Sequence, residues 1–523
     1  MTEKPAYIVA FTKPVNTEIK HIGGHWYLYE RTNVYDPLIK RSRKKSGKCL
    51  GKITEDGFIP SKPKAALGPR LNDVVEIGAV GYFYRHTEVM RDKLKLFFPD
   101  IWEKLYVIAL IRTIYGPRFR HLQLHYEESA VSYLYPNLGF SAPEITSFLK
   151  ELGRRRDQIR QYMRDMVAQE KRFIIFDGHR LLSASVTVDN AEKGYDSKMR
   201  YKPQINLVYI FSLGAASGCP VYYKQYIGST PDVTAFADIL VESGVAGKDY
   251  TAVADKGFAS EDGFSLLEDS GLKYILPLKR GNRYVSGKVP ESPMGYEEAF
   301  SFNGRGIHCI TFREEGFDIH LYLDTALFAE EMADLTVRAE RLNQTIENKR
   351  AKELKRRSKN RGRLTDAQLE QLKPLSLKDM YAGRKEMGTL TLKTNRTDLN
   401  SFQVYSIFKQ RQAIEQFFKT YSDTMDYEAS YMGNNYSEEA WLFLNHLSSI
   451  LGVDAIENIA RIGESKNISF KDLVQTLVKI KAYHMDEKWH VAPVKQAVQR
   501  LCNRLGIDPF DLSIIAPNPD GTA

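Results

Sequence analysis

"TAVADKGFAS", residues 251–260, passes from a small, β-prone apolar run into Asp255, then into Lys256, Gly257 and Phe258 ahead of a helix start. Its reading decides the fold, because a carboxylate at the end of a buried strand needs a partner, a metal ion or a reaction to perform. "YTAVAD" reads as a strand, "SEDGFSLLEDSG" (260–271) as a helix capped by Ser260 and Gly271, and "LKYILPLK" (272–279) as the next strand. Upstream, "RFIIFDG" (172–178), "SASVTVD" (183–189), "INLVYIFSL" (205–213) and "PVYYKQYIG" (220–228) carry the β-branched and aromatic enrichment of strands. "TPDVTAFADILVESG" (230–244) then has apolar residues at helical spacing. Strands, a helix, then strand–helix–strand define an α/β layout with a mixed sheet.

Asp177 closes "FIIFD", whose run from Phe173 to Phe176 marks a central, buried strand. Catalytic groups in an α/β sheet gather beyond strand ends, so Asp177 and Asp255 are expected to converge in a geometry suited to divalent cations. A third hard oxygen ligand is then expected. Glu415 in "QRQAIEQFFKTY" (410–421) is the candidate, at the margin of a helical stripe of Ile407, Ile414, Phe417, Phe418 and Tyr421. Arg411 stands four residues before it; alone, that pair is an ordinary helix-surface ion pair.

Working outward, a chain of 523 residues implies two to four structural units, and 43% hydrophobic with 27% charged residues is the balance of a folded protein. No apolar stretch suits a bilayer span: "LYVIALIRTIYG" (105–116) is broken by Arg112, and "AWLFLNHLSSILG" (440–452) by Asn445 and His446. The start "MTEKPAYIVAFTKP" lacks signal-peptide features, so no membrane association and a cytoplasmic, nucleoid-associated location are expected. Cys49, Cys219, Cys309 and Cys502 are scattered singly, which suggests neither a disulfide framework nor a thiolate zinc site. The net charge of +9 favours a polyanionic partner.

Six regions follow. Residues 1–84 read as β-rich, with "HWYLYERTNVY" (25–35) and "KCLGKITEDGFI" (48–59) as strands around a basic loop "KRSRKKSGK" (40–48), either solvated or touching a DNA backbone. Residues 85–170 read as helical and DNA-binding, including "SAPEITSFLKELG" (141–153) and "RRRDQIRQYMRDMVAQE" (154–170). A catalytic core at 171–280 resumes at 388–436 after an α+β insertion, 281–387. The insertion holds a strand pair (306–324) and a charged helical segment (328–385), in which "KRAKELKRRSKNRGR" (349–363) has nine basic residues and one acid, Glu353. Residues 437–523 read as mostly helical, with an irregular join at "DEKWHVAP" (486–493) and an apolar stripe in "LVQTLVKIKAYHM" (473–485). His179 reads as structural or solvated, and His308 with Cys309 as packing within the insertion.

With these motifs, the sequence resembles the DDE transposases of bacterial and archaeal insertion sequences, in the group with an insertion inside a ribonuclease-H-like core. The family's first Asp matches Asp177 in "FDGH", and its Asp-x-Gly-Phe motif matches Asp255-Lys256-Gly257-Phe258. Its helix signature of Tyr, two residues, Arg, three residues, Glu, six residues, Lys matches at Arg411 and Glu415. Phe408 stands in place of the Tyr and Ser422 in place of the Lys; Lys419, one turn beyond Glu415, is the nearest substitute. The resemblance covers roughly residues 85–500.

It implies a ribonuclease-H-like mixed sheet flanked by helices, and cleavage plus strand transfer of DNA by two Mg²⁺ ions, with Mn²⁺ as a substitute, held by Asp177, Asp255 and Glu415. It also implies DNA contacts at Arg411, Lys419, Lys256, Lys279, Arg280, Lys355, Arg356 and Arg357. The partners implied are the element's terminal inverted repeats, target DNA and a second copy of the chain in a synaptic complex. A nuclease of the same fold without strand transfer, or a catalytically inactive transposase-derived DNA-binding protein, are the alternatives; intact Asp177, Asp255 and Glu415 argue against the second.

Overall fold

The runs of apolar residues around Asp177 and Asp255 form adjacent strands buried on both faces. The computed structural model describes residues 4–36, 41–61, 71–116, 118–169, 173–195, 201–213, 218–359, 361–382, 384–411 and 429–516. These divide into a small unit, residues 1–73 with 483–488, and a large one formed by the rest.

One sheet organises the large unit. Its strands are β1 (Phe173–Ser183), β2 (Glu192–Tyr195), β3 (Tyr201–Leu213), β4 (Gly218–Ile227), β5 (Thr251–Ala254), β6 (Lys273–Leu278), β7 (Glu298–Phe302), β8 (Arg305–Glu314), β9 (Phe317–Asp324), β10 (Thr389–Thr394) and β11 (Ala429–Ser430). The order is β7-β8-β9-β10-β6-β5-β1-β3-β2, with β4 also on β3 and β11 beside the end of β1. β3 is antiparallel to β1 and β4 to β3, whereas β5 runs parallel to β1 and β6 parallel to β5. Parallel neighbours need long crossovers. The helices Asp232–Ser243 and Glu261–Asp269 supply them, the first ended by Gly244 at φ +75° and the second begun by Ser260, whose Oγ accepts the Gly263 N–H at 3.1 Å.

β1 differs from the expected pair of strands at 172–178 and 183–189. It runs through Asp177 to Ser183 as one strand, because β3 pairs with it from Ile174 to Leu182, and the chain leaves the sheet after Ser183. Asp177 is therefore at the end of its pairing with β5, not at the end of its own strand.

Helices cover the sheet. Trp102–Tyr115 is buried from Leu105 to Ile114, as expected of a helix apolar on every side. It packs against Asn435–Arg461, and the polar residues that interrupt these two apolar segments meet: Arg112 Nη2 donates to Asn445 Oδ1 at 2.6 Å. Among the described residues no helix is long and apolar enough to cross a membrane. Ser141 and Glu144 form a capping box at the start of Ala142–Arg154. Two arginines of "RRRDQIRQ" (154–161) are committed to carboxylates: Arg155 to Asp100 at 2.7 and 2.8 Å, and Arg156 to Glu439 at 2.7 Å and to Glu242 at 3.1 Å.

Within 281–387, β7, β8 and β9 extend the main sheet through β10. The helix Thr325–Arg357 follows, begun by Asp324, whose carboxylate accepts the Leu327 N–H at 3.0 Å. Glu353, the lone acid of the basic run, is buried and accepts the backbone N–H groups of Leu364 (2.9 Å) and Arg363, which hold its carboxyl below the usual range.

The C-terminal stripe is not one helix. Phe470–Leu477 ends first, and Lys481–Met485 and Lys488–Val491 are strands joined through Asp486 and Glu487, both at positive φ. In the small unit, four antiparallel strands (Thr17–Ile22, His25–Asp36, Arg41–Thr54, Gly57–Pro60) lie in chain order. Gly23 and Gly24, at φ +56° and +79°, make the two-residue turn that suits a tight hairpin. The described part of the stretch expected as a basic loop, Arg41 to Lys48, is strand, since His25–Asp36 pairs with it from Asp36↔Arg41 to Arg31↔Ser46.

Candidate active site

The last residues paired between β1 and β5 are Phe176 and Ala254. Asp177 and Asp255 come next on the two strands, so they leave the ladder side by side. Adjacent parallel strands lie about 4.8 Å apart, which places two carboxylates at one spot without any loop to position them. An aromatic cluster braces both. Phe176 packs edge-on against Phe236 with ring centroids 4.7 Å apart, and Phe236 packs on Phe258 at 5.0 Å. Phe258 is buried, and its N–H donates to the Asp255 carbonyl at 3.0 Å, closing the Asp-x-Gly-Phe turn. The Lys256 N–H donates to Asp255 Oδ1 at 2.6 Å.

Residues 401–411 are helical and bring Arg411 to the aspartates. Its Nη1 lies 3.3 Å from Asp255 Oδ1 and its Nη2 3.7 Å from Asp177 Oδ1. The side chains are 13% (Arg411), 19% (Asp177) and 46% (Asp255) exposed, so the site opens on the Asp255 side. Glu415 and Lys419 lie outside the described residues. Among the described residues no group of three or more His, Cys, Asp or Glu side chains is placed to hold a metal ion. The two aspartates fit a hard divalent cation as oxygen donors, and one guanidinium leaves the pair net negative. His179 follows Asp177 by two residues on the same face of β1; burial pushes its imidazole down to about 4, so it is neutral at pH 7.

The other basic residues divide into exposed and engaged. Lys256 and Lys279 are exposed beside the ends of β5 and β6. Arg280 is tied to the insertion helix, with Nη1 and Nη2 on Glu331 at 3.0 and 2.8 Å and Nε on the Thr389 carbonyl at 3.1 Å. Lys355 and Arg356 are exposed at the end of Thr325–Arg357, and Arg356 comes within 3.8 Å of Glu353. Arg357 donates to the Leu364 carbonyl at 2.7 Å and pairs with Asp366. Sequence reading did not anticipate the Phe176–Phe236–Phe258 brace; the signal was present in the Phe of the Asp-x-Gly-Phe motif. The meeting of Arg411 with both aspartates had no local signal at all.

Residues 168–451, just over half of the chain, match the family model described as the transposase DDE domain, and the chain belongs to that family. A solved chain described as a piggyBac transposase in a synaptic complex with hairpin DNA, determined by cryo-EM, is similar at 11% identity with a TM-score of 0.36, over 79% of this chain and 81% of that one. No curated protein matches in sequence.

Proposed function

We propose that this chain is the transposase of an insertion sequence, cutting DNA at the element's terminal inverted repeats and joining the ends to target DNA. The observation that carries this reading is the side-by-side position of Asp177 and Asp255 where β1 and β5 stop pairing, in a chain of the DDE family. The order β4-β3-β1-β5-β6, antiparallel up to β1 and parallel after it, supports a ribonuclease-H-like core, with 281–387 as its insertion.

Asp177, Asp255 and Glu415 would hold two Mg²⁺ ions, or Mn²⁺ in their place. When bound, such a pair supplies an activated water or DNA 3′-hydroxyl and charge stabilisation for the leaving oxygen of the phosphodiester. Carboxylates suit the task because they bind hard cations without being the nucleophile. In hydrolysis the water oxygen bonds to phosphorus and the 3′-oxygen leaves; in strand transfer that 3′-hydroxyl gives up its proton and its oxygen bonds to a target phosphorus while the target strand's own 3′-oxygen leaves and takes up a proton, so one site serves both steps. Lys256 and Lys279, exposed beside the ends of β5 and β6, would contact the DNA phosphates. The chain acts as a homodimer that pairs two element ends.

The test uses supercoiled plasmid carrying the element ends, Mg²⁺, and the variants Asp177→Asn, Asp255→Asn and Glu415→Gln. Each should lose nicking and joining to background while retaining end binding in a gel shift. Nicking at the wild-type rate by either Asp variant overturns the site, and cleavage with no joined product under any condition restricts the reading to a nuclease.

A further inference from the structure

The strand pair His25–Asp36 and Arg41–Thr54 outgrows the core beneath it. Ile8, Trp26, Leu28 and Ile53 are buried at one end, with Ile19 and Leu50 partly covered. Past Cys49 the ladder continues through Arg31↔Ser46, Thr32↔Lys45, Asn33↔Lys44, Val34↔Arg43, Tyr35↔Ser42 and Asp36↔Arg41, and every residue from Arg41 to Lys48 is exposed. Five of those eight residues are Lys or Arg and none is acidic. Strand alternation puts Arg41, Arg43 and Lys45 on one face, and Lys44 on the other together with Arg31, which pairs opposite Ser46. Of the acids nearby, Asp36 pairs opposite Arg41 at the far end of the ladder and two sit at the ribbon's root: Glu18 pairs with Lys20 at 3.3 Å and accepts from Ser46, and Glu30 packs where a Cβ on Gly47 would lie 2.9 Å away. Two register shifts, between Leu28 and Tyr29 and between Tyr29 and Arg31, mark bulges that increase twist at that root.

A solvated sheet face has a core behind it, but the stretch Arg41 to Lys48 is exposed and carries basic residues on both faces. Like charges so placed repel one another. A partner with negative charge on two opposing walls removes that cost.

We propose that the ribbon 31–36/41–48 docks in the major groove of duplex DNA, with its two basic faces meeting the phosphates on either wall. Six residue pairs extend roughly 20 Å. The major groove, about 12 Å wide, admits a two-stranded ribbon, and the minor groove, about 6 Å wide, does not. This inference rests on the reading of the chain as a DNA-acting transposase, and it adds a grip on the DNA supplied by the small unit.

The test compares the full-length wild type with the Arg41→Gln/Lys44→Gln/Lys45→Gln variant, using anisotropy of a labelled 30-bp DNA duplex of arbitrary sequence and the RNA duplex of the same sequence across a salt series. The variant should bind the DNA about 10-fold more weakly, and its log K against log salt slope should be shallower by about 2.7, three phosphates at about 0.9 each. Binding to the RNA should change far less, because the A-form major groove is too narrow for side chains to enter. Guanine N7 methylation of the DNA should weaken the wild type and not the variant. If the triple variant fails to fold, Lys45→Gln alone should lower the slope by about 0.9. An unchanged slope, or an equal loss on DNA and RNA, overturns groove docking. Wild type that binds with the ribbon-dependent slope but never cleaves with metal overturns the transposase reading alone; wild type that binds no duplex overturns both.

Discussion

Arg411 sets what the two aspartates experience in the chain without metal. One guanidinium within 3.3 Å of Asp255 and 3.7 Å of Asp177 offsets part of a repulsion that parallel-strand packing imposes. Arg411→Gln removes that positive charge, so the metal-free variant should melt below wild type. Mn²⁺ should then raise its Tm by more than it raises the wild type's, because a cation takes over the same screening. Adding Asp177→Asn should erase the difference. The measurement is thermal unfolding with and without Mn²⁺, and an identical Mn²⁺ increment in all three proteins would mean that Arg411 and the metal do not share the aspartates. Helical spacing pairs Arg411 with Glu415, four residues on and outside the described residues, but it carries no sign of the contact with the aspartates, which lie 156 residues away or more along the chain.

At the scale of elements, Gly153 shows how closely two helices meet. A Cβ there would fall 1.8 Å from the Tyr436 carbonyl oxygen and 2.4 Å from its carbon, which are backbone atoms that cannot rotate aside. In an open helix, replacing Gly by Ala gains up to about 1 kcal/mol. Against a fixed backbone the overpacking cost, typically about 1–3 kcal/mol, is larger. Gly153→Ala should therefore lower the Tm, and a raised Tm would show that Ala142–Arg154 and Asn435–Arg461 separate at no cost. Elements with a strong local signature were legible: β5 and β6 from their apolar runs, and Glu261–Asp269 from Ser260 and Gly271. Where pairing decides the outcome, local reading fell short. "SASVTVD" alternates like a strand, yet only its first residue stays in β1, and "RSRKKSGK" is polar enough for a loop until His25–Asp36 lies beside it. The lone acid Glu353 read as one charge among many, because the N–H groups that it caps belong to a turn ten residues on.

The molecule also buries three carboxyls outside the aspartate pair, and their own contribution to stability has a pH dependence of definite sign. Burial pushes the carboxyls of Glu76 and Glu438 up to about 7, and that of Asp454 up to about 6. Unfolded, they titrate near 4. Between those values these carboxyls hold protons that the unfolded chain has released, so the stability they contribute falls as pH rises from about 4 to about 7 and changes little above, while buried His179 and His446, pushed down to about 4 and about 3, act in the opposite sense below the ordinary imidazole value of about 6.5. Carboxyls held low by ion pairs, such as Asp100 on Arg155 and Glu331 on Arg280, lose their contribution only at more acid pH, outside that window. Glu438 is the cleanest case: Ser430 Oγ donates to one oxygen, the other has no hydrogen-bond partner among the described residues, and neighbouring Glu439 adds repulsion. A shift of this size amounts to about 3 kcal/mol at most. Glu438→Gln keeps an acceptor for Ser430 and cannot ionise, so its Tm should exceed the wild type's at pH 8, with the two curves converging toward pH 4. Calorimetric scans at half-unit pH steps measure this; parallel curves over the whole range would mean that Glu438 is charged in the folded chain and that some cation compensates it.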